Sequence, residues 1–445
     1  MSEIGKFEKS TPKSKQLYDR AVKVMPGGNT RTVVFYPPYP AYAARGKGSH
    51  IWDVDGNERI DYCFNFSVLL LGHAHPKVMD AVKAQLENGS VLGAPTEAEV
   101  RLAEKVCEIV PAAERVRFVV TGTEATMNAI RVAKAYTKKP KIILFNGAYH
   151  GTSDPVVVEG SSYTSEGIPQ SVKEEVIMVP FNDAATFENT LKQYKNETAA
   201  VLVEPLQGSG GAIPPEKGFL ETIREETEKH GVILIFDEVQ TGFRLARGGG
   251  QELFKVIPDM VALGKGMTGG FPGGAVGGKR EIMEKIYGFP DVSIPPASKP
   301  RVPLSGTFNA HPISMAAGLA HLNELKPEVY NHLNRMGQSM RDGFSKICRD
   351  LGIACQVTGL GSFFQMHFTK TPIRRHEDTK YADKRLLWYL DICLLNKGIY
   401  FAPCHTSYVS AVTTEKDVQT TLDAIQQVLT NAKPMIRDMA PGLMV

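Results

Sequence analysis

The sequence predicts an α/β protein built on one mainly parallel sheet. Short apolar runs rich in β-branched residues alternate with helical segments through the middle of the chain. The 445 residues, 42% of them hydrophobic, are enough for one large core with a smaller domain attached. Polar residues follow directly after several apolar runs. Since parallel strands joined by right-handed crossovers end at one edge of a sheet, a ligand is expected at that edge.

The first 60 residues are expected to form an N-terminal segment. An amphipathic helix is predicted over 13–24, and the glycine-rich turn that follows cannot continue it. A loop with prolines and aromatics comes next, and residues 48–57 are typical of a hairpin with an Asp-Gly turn. Arg31 lies at the start of that loop. It is either an ordinary surface arginine or, if the loop lines a cleft, a bidentate partner for a substrate carboxylate.

A large domain is predicted over 61–327, with strands and helices in alternation. The predicted strands are 116–120, 141–145, 175–179, 199–203, 232–236 and 260–263. The predicted helices are 75–88, 96–110, 121–136, 184–195 and 218–230. Two long irregular segments interrupt the pattern at 146–173 and 289–305. The first exceeds ordinary loop length, which is typical of a lid or a disordered excursion.

Small polar turns precede two of the alanine-rich helices. Thr121, Gly122 and Thr123 join a strand to a helix, and Thr307 lies in a similar turn. The unpaired N–H groups and the dipole at a helix start favour an anion such as phosphate. Ordinary N-capping by threonine would leave the same pattern, so the turns alone do not decide.

The centre of the predicted sheet brings an acid and an amine together. Asp237 follows one buried run, and Lys265 follows the next, between two glycines. A buried ion pair is one interpretation. The other is Schiff-base chemistry, because a desolvated amine is a nucleophile toward an aldehyde and a carboxylate keeps a pyridine nitrogen protonated. Further polar or aromatic residues at predicted strand ends are Tyr149, His150 and Glu204.

From residue 328 to residue 445 the pattern changes to amphipathic helices with short strands. Helices are predicted over 384–396 and 414–429, and strands lie in the segments between them. A small α+β domain accounts for this pattern.

Composition excludes several classes of function. The net charge is +3, with 51 basic and 48 acidic residues interspersed, which gives no support for binding nucleic acid or a membrane surface. The six cysteines are scattered and show neither metal-type spacing nor a disulfide framework. No metal is therefore expected, and a cytoplasmic location is expected. The N-terminus lacks the apolar region of a signal peptide, and no apolar run approaches membrane-spanning length.

The combined motifs resemble the class III aminotransferases of the fold-type I enzymes that use pyridoxal 5'-phosphate (PLP). The resemblance covers nearly the whole chain and rests on TGTEA at 121–125, YHG at 149–151, IFDEVQTGFR at 235–244, LGKG at 263–266 and GTF at 306–308. Within that class the chain is similar to the glutamate-1-semialdehyde aminomutase branch, which includes β-phenylalanine aminotransferases. The stretch MPGGNTRTVVFYPPYPAYAARGKG at 25–48 looks closer to the latter.

The resemblance implies a seven-stranded, mainly parallel sheet, PLP as cofactor, and a homodimer with its active site at the interface. Lys265 would bind the cofactor aldehyde as a Schiff base and then move the substrate proton, while Asp237 would pair with the ring nitrogen. Arg31 would bind the substrate carboxylate. The implied cofactor-binding set is Thr121, Gly122, Thr123, Tyr149, His150, Glu204, Asp237, Val239, Gln240, Lys265 and, from the second subunit, Thr307.

Departures from the family pattern affect the choice of reaction. Val120 replaces a polar residue near the cofactor, and the segment 402–410 lacks the glutamate of the aminomutase. Cys404 or His405 stands where the β-phenylalanine enzymes carry an arginine. The sequence therefore predicts an aminotransferase that moves the amino group of a carboxylate-bearing amine, such as a β-amino acid, to a 2-oxo acid. The alternatives are an aminomutase or racemase at the same site and a non-catalytic regulator.

Overall fold

The computed structural model describes residues 2–161, 165–288 and 302–445. The chain forms two compact units. One comprises Met1–His75, Asn331–Ile373 and Asp378–Val445, and the other comprises Pro76–Tyr330 and Arg374–Glu377. The first 75 residues thus belong to the same unit as most of the C-terminal part. The division into three domains that the sequence suggests, at 1–60, 61–327 and 328–445, stays a prediction.

The N-terminal part contains a three-stranded meander. Its elements are α1 (Glu3–Ser10), α2 (Pro12–Ala21), β1 (Ala43–Lys47), β2 (His50–Asp53), β3 (Glu58–Asp61) and the short turn α3 (Phe64–Ser67). Both β1 and β3 pair antiparallel with β2, so the predicted hairpin is present. Asp53 closes its turn by accepting hydrogen bonds from the backbone N–H groups of Asp55 and Asn57. The predicted helix over 13–24 is α2, and α1 was not predicted.

The larger unit follows the predicted alternation closely. Its helices are α4 (Pro76–Glu87), α5 (Glu97–Ile109), α6 (Gly122–Thr137), α7 (Gln170–Lys173), α8 (Ala184–Tyr194), α9 (Phe219–Lys229), α10 (Gly250–Phe254), α11 (Arg280–Tyr287) and α12 (Pro312–Glu324). Its strands are β4 (Arg115–Val119), β5 (Lys141–Phe145), β6 (Val176–Val179), β7 (Thr198–Val203), β8 (Ile233–Asp237), β9 (Met260–Gly264) and β10 (Gly274–Gly278). Most of the irregular segment predicted over 289–305 lies outside the described residues.

These strands form one sheet of seven, in the order β4-β10-β9-β8-β7-β5-β6. Neighbours from β9 to β6 are parallel, whereas β10 runs antiparallel to both of its neighbours. The predicted α/β class with a mainly parallel sheet is confirmed. Every residue of β7, β8 and β9 is buried, because helices cover a parallel sheet. Ala125, Ala129 and Ala133 of α6 belong to the same apolar cluster as the sheet residues Ile142 and Ile235.

The C-terminal part supplies the remaining elements. They are α13 (Pro327–Leu351), β11 (Gln356–Thr358), β12 (Phe363–His367), α14 (Lys384–Asn396), β13 (Ile399–Tyr400), β14 (Ser407–Tyr408) and α15 (Glu415–Met439). Strand β12 pairs with β11 and β14, while β13 lies parallel to β3. The final helix continues to Met439 and contains Pro434, past the predicted end at 429. Across the described residues, no helix combines the length and apolarity needed to span a bilayer.

Candidate active site

A cavity of about 140 Å³ lies where β5, β7, β8 and β9 end and α6 begins. Every predicted cofactor-binding residue lines it except Thr307. Two lining residues, Thr126 and Gly151, were not predicted. Thr126 lies one helical turn after Thr123, so the TGTEAT motif indicates it. Gly151 has a φ of 96° and lies beside Thr123, so the glycine of the YHG motif indicates that residue. The clustering agrees with the expectation that strand ends carry the site.

The acid at the centre of the cavity is held by a buried histidine. Nδ1 of His150 lies 2.7 Å from Oδ2 of Asp237, and the two residues are 2% and 3% exposed. The backbone N–H of Val239 donates to Oδ1 of Asp237 at 3.0 Å. The carboxylate orientation is therefore fixed on both oxygens. Nε2 of His150 is buried with no hydrogen-bond partner in the described parts of the chain.

Glu204 fixes the segments that carry the aromatic and the histidine. Its two carboxylate oxygens accept hydrogen bonds from the backbone N–H groups of Tyr149, at 2.9 Å, and Gly208, at 2.8 Å. Burial raises the pKa of the Glu204 carboxyl above its ordinary value, and the charge of His150 opposes that rise. The hydroxyl of Thr126 also donates to the backbone oxygen of His150, at 2.6 Å. Together these bonds tie the end of β5 to β7 and α6.

The start of α6 is closed by a reciprocal cap. The backbone N–H of Glu124 donates to Oγ1 of Thr121 at 3.1 Å, and Oε2 of Glu124 accepts from the backbone N–H of Val120 at 2.8 Å. Thr121 is thus the N-cap of α6, and Gly122 and Thr123 in the first helical turn line the cavity. A Cβ on Gly122 would lie 2.7 Å from Cγ1 of Val239, so the close approach requires glycine. An anion at this helix start would meet backbone donors and the helix dipole.

Lys265 occupies an unusual backbone conformation at the end of β9. Its φ is +44°, in the left-handed region that side-chain-bearing residues rarely adopt, and its side chain is half-buried. Strain of this kind is concentrated at functional sites. Gln240 also lines the cavity, and its Nε2 lies 3.5 Å from Oγ of Ser209, at the limit of a hydrogen bond.

Two predicted site residues lie outside the cavity wall. Thr307 is exposed and does not line the cavity. Arg31 is also exposed and belongs to the other unit, where it contacts Asn65. Their expected roles, in a second subunit and in carboxylate binding, stay predictions.

The donor set of the cavity fits PLP. A helix start suits a phosphate, the oriented carboxylate of Asp237 suits a protonated ring nitrogen, and the amine of Lys265 suits an aldehyde. Tyr149 and Val239 also line the cavity. Within the described residues there is no group of three or more His, Cys, Asp or Glu side chains that could hold a metal ion.

Comparison with known proteins identifies the family. The sequence profile of the aminotransferase class-III family matches residues 34–429. The chain belongs to the class III aminotransferases. Glutamate-1-semialdehyde 2,1-aminomutase from Methanothermobacter thermautotrophicus is 42% identical over 428 residues, which are 95% of this chain and 100% of that protein. The same enzyme from Thermodesulfovibrio yellowstonii is 41% identical over 431 residues, 94% and 99% of the two chains.

Solved structures of transaminases share this fold. An omega-transaminase from Sphaerobacter thermophilus superposes with a TM-score of 0.88 at 39% identity, covering 94% of this chain and 98% of that one. A β-phenylalanine aminotransferase from Variovorax paradoxus gives a TM-score of 0.89 at 33% identity, covering 97% of both chains. A transaminase with bound PLP gives 0.88 at 35% identity and covers 96% of this chain and 99% of that one. The predicted fold type, enzyme class and cofactor are confirmed.

Proposed function

We propose that this class III enzyme acts on a carboxylate-bearing amine and moves the amino group within one substrate molecule. The aminomutase reaction of its relatives takes the amino group of glutamate 1-semialdehyde from carbon 2 to carbon 1. The observation that carries amino-group chemistry is the meeting of Lys265, the Asp237–His150 pair and the start of α6 around one cavity. The observation that favours the intramolecular reaction is 41–42% identity to aminomutases along almost their whole length. These relatives support the aminomutase alternative better than the β-amino-acid transamination expected from the sequence.

Each cavity residue has a proposed role. Bound PLP supplies an electron sink that stabilises negative charge on the carbon that carries the amine. Nζ of Lys265 removes a proton from the carbon that loses the amino group and returns a proton to the carbon that receives it. Asp237, oriented by His150, stabilises the protonated ring nitrogen. The first turn of α6, with Thr121, Gly122 and Thr123, holds the phosphate.

The remaining cofactor contacts in this proposal come from the cavity walls. Tyr149 and Val239 would hold the ring, Gln240 would contact its phenolic oxygen, and Glu204 keeps Tyr149 and His150 in place. Thr307 of a second subunit adds a phosphate contact in a homodimer. Arg31 binds the substrate carboxylate, because a guanidinium matches the two oxygens of that group. A cytoplasmic location is part of the same proposal.

Transamination between two molecules is the second candidate, and one feature of the chain favours it. The segment from Ala402 to Ser410 contains no carboxylate side chain. The aminomutases that the chain resembles carry a glutamate in this segment. In a transaminase, an amine such as a β-amino acid would leave its amino group on the enzyme and depart as an oxo acid. A 2-oxo acid would then collect that amino group.

One pair of assays separates the two candidates. The holoenzyme is incubated first with glutamate 1-semialdehyde alone and then, separately, with β-phenylalanine alone, and products are quantified per active site. The aminomutase proposal expects many turnovers to the 1-amino-2-oxo isomer without any acceptor. With β-phenylalanine it expects less than one oxo acid per site. One oxo acid per site, with further turnover only after 2-oxoglutarate is added, would overturn the aminomutase proposal and establish transamination.

Lys265→Ala is the control for both assays. Because both reactions need the amine at position 265 to move a proton, the variant is expected to lose at least about 10³-fold in either assay. Retained turnover in this variant would place the chemistry elsewhere.

A further inference from the structure

In the described residues, a neutral amide rather than a carboxylate contacts the guanidinium of Arg31. Its Nη1 donates a hydrogen bond to Oδ1 of Asn65 at 2.5 Å, and its backbone N–H donates to Oδ1 of Asn29 at 2.8 Å. No ion pair to Arg31 occurs in the parts of the chain that the structure describes. A neutral amide therefore holds one edge of the guanidinium, and the positive charge stays available.

Asn65 reaches Arg31 from a strained turn. The four residues of α3 all have positive φ, at 42° for Phe64, 52° for Asn65, 59° for Phe66 and 77° for Ser67. Four successive non-glycine residues in the left-handed region are costly, since each pays roughly 1–2 kcal/mol. Such a turn persists only where its surroundings enforce it, and turns of this kind mark functional sites.

A buried carboxylate enforces the turn. Oδ1 of Asp61 accepts hydrogen bonds from the backbone N–H groups of Cys63, at 2.7 Å, and Phe64, at 3.0 Å. Its other oxygen, Oδ2, lies 2.7 Å from Nε2 of His73. Asp61 is 2% exposed, so these contacts are shielded from water. The chain thus uses a buried anchor to present Asn65.

An aromatic ring, itself packed against a second ring, lies beside the guanidinium. The Arg31 guanidinium carbon lies 5.9 Å from the centre of the Phe66 ring. The His405 ring packs edge-on against Phe66, with centroids 5.3 Å apart and planes at 76°. Arg31 is therefore oriented by the amide of Asn65 and by a supported aromatic ring.

We propose that Asn65 is a positioning residue that orients Arg31 for a substrate carboxylate without neutralising it. An aspartate of the same shape would form an ion pair with Arg31 and compete with the substrate. An amide accepts the same hydrogen bond and leaves the second guanidinium edge and the full charge for the ligand. This inference rests on the proposed role of Arg31 and goes beyond it by assigning how that residue discriminates a carboxylate from a neutral group.

The test compares an anionic with a neutral ligand of the same shape. Calorimetry on the holoenzyme measures the dissociation constants of pentanoate and pentanamide, and their ratio reports recognition of charge. Asn65→Asp is expected to reduce the preference for pentanoate by about tenfold or more. Asparagine and aspartate both tolerate left-handed backbone, so the turn is retained. With the carboxylate substrate, KM is expected to rise while kcat changes little.

Two further variants separate the possible failures. Asn65→Gly keeps the turn and removes the acceptor, so pentanoate is expected to bind more weakly while still being preferred over pentanamide. Arg31→Gln is expected to abolish the preference. If Arg31→Gln leaves the preference unchanged, the proposed role of Arg31 fails. If Arg31→Gln abolishes it and Asn65→Asp does not change it, the role assigned to Asn65 is wrong.

Discussion

Burial raises the pKa of carboxyl groups both inside the cavity and outside it. Asp391 lies on α14, 2% exposed, and Oδ2 accepts a hydrogen bond from the backbone N–H of Cys404 at 2.7 Å. Burial raises its pKa from 3.8 to about 8. Burial also raises the pKa of the nearby Tyr36 phenol and Cys404 thiol, so these groups stay neutral at physiological pH. Asp391 is therefore expected to be protonated in the folded protein at neutral pH.

A pH-dependent stability follows from that burial. The folded chain holds the Asp391 proton up to about pH 8, whereas the unfolded chain releases it near pH 4. The stabilisation is complete below pH 4 and is lost as pH rises toward 8, by at most about 1.4 kcal/mol per pH unit. Asp391→Asn keeps an acceptor for the N–H of Cys404 and removes the proton dependence. The melting temperature of this variant relative to that of the wild type is expected to rise steadily from pH 5 to pH 8, because only the wild type loses stability by releasing this proton on unfolding.

Thermal unfolding of both proteins across pH 5–8 measures this effect. All other titrating groups are shared, so their contributions cancel in the difference between the two curves. If the difference between the two melting temperatures is the same at every pH, Asp391 is already charged in the folded state.

At the scale of elements, the sequence predicts those helices and strands that have a local sequence pattern of their own. The runs that became β7, β8 and β9 are apolar and β-branched, and α6 begins with the Thr121–Glu124 cap. The site residues at these strand ends could be predicted for the same reason. Strand β10 has the sequence GAVGG, which has no strand propensity, because glycine is depleted in strands. Its conformation is imposed by the ladders to β4 and β9, which no local pattern reports.

The glycines of β10 are needed for close approach, and this gives a test. A Cβ on Gly274 would lie 2.4 Å from the backbone oxygen of Thr121, the residue that caps α6. Gly274→Ala is expected to displace that cap, lower stability by about 1–3 kcal/mol and weaken PLP binding. Melting temperature and equilibrium dialysis of PLP measure the two effects. Gly442→Ala is the matched control, since its Cβ would meet nothing within 4 Å.

Equal PLP affinity and stability in the two glycine variants would contradict this account. Loss of stability without loss of PLP affinity would mean that the sheet can absorb the methyl group without moving the start of α6. The position of Gly274 would then be structural only.

At the scale of the whole molecule, one predicted cofactor-binding residue does not line the cavity of its own chain. The cavity gathers every predicted cofactor residue except Thr307, which is exposed on its own chain. The motif that contains Thr307 could be read from the sequence, but a residue that acts in another subunit leaves no geometric trace in a single chain. The same limit applies to Arg31, whose proposed ligand is a substrate. These two roles depend on partners, and the proposal of a homodimer accounts for the first.

Mixing two defective variants tests that homodimer. Lys265→Ala lacks the amine, and Thr307→Asp would repel the phosphate from the neighbouring site. If Thr307 acts across the interface, each is nearly inactive alone, but a hybrid dimer contains one site with both native residues. After subunits are exchanged at equal concentrations, activity is expected to recover to about a quarter of the wild-type value, because half of the dimers are hybrids with one good site each. Recovery with a molar mass of two 48.7 kDa chains supports the shared site. If Thr307 acts within its own chain, every site in the hybrid lacks one native residue, and no activity returns.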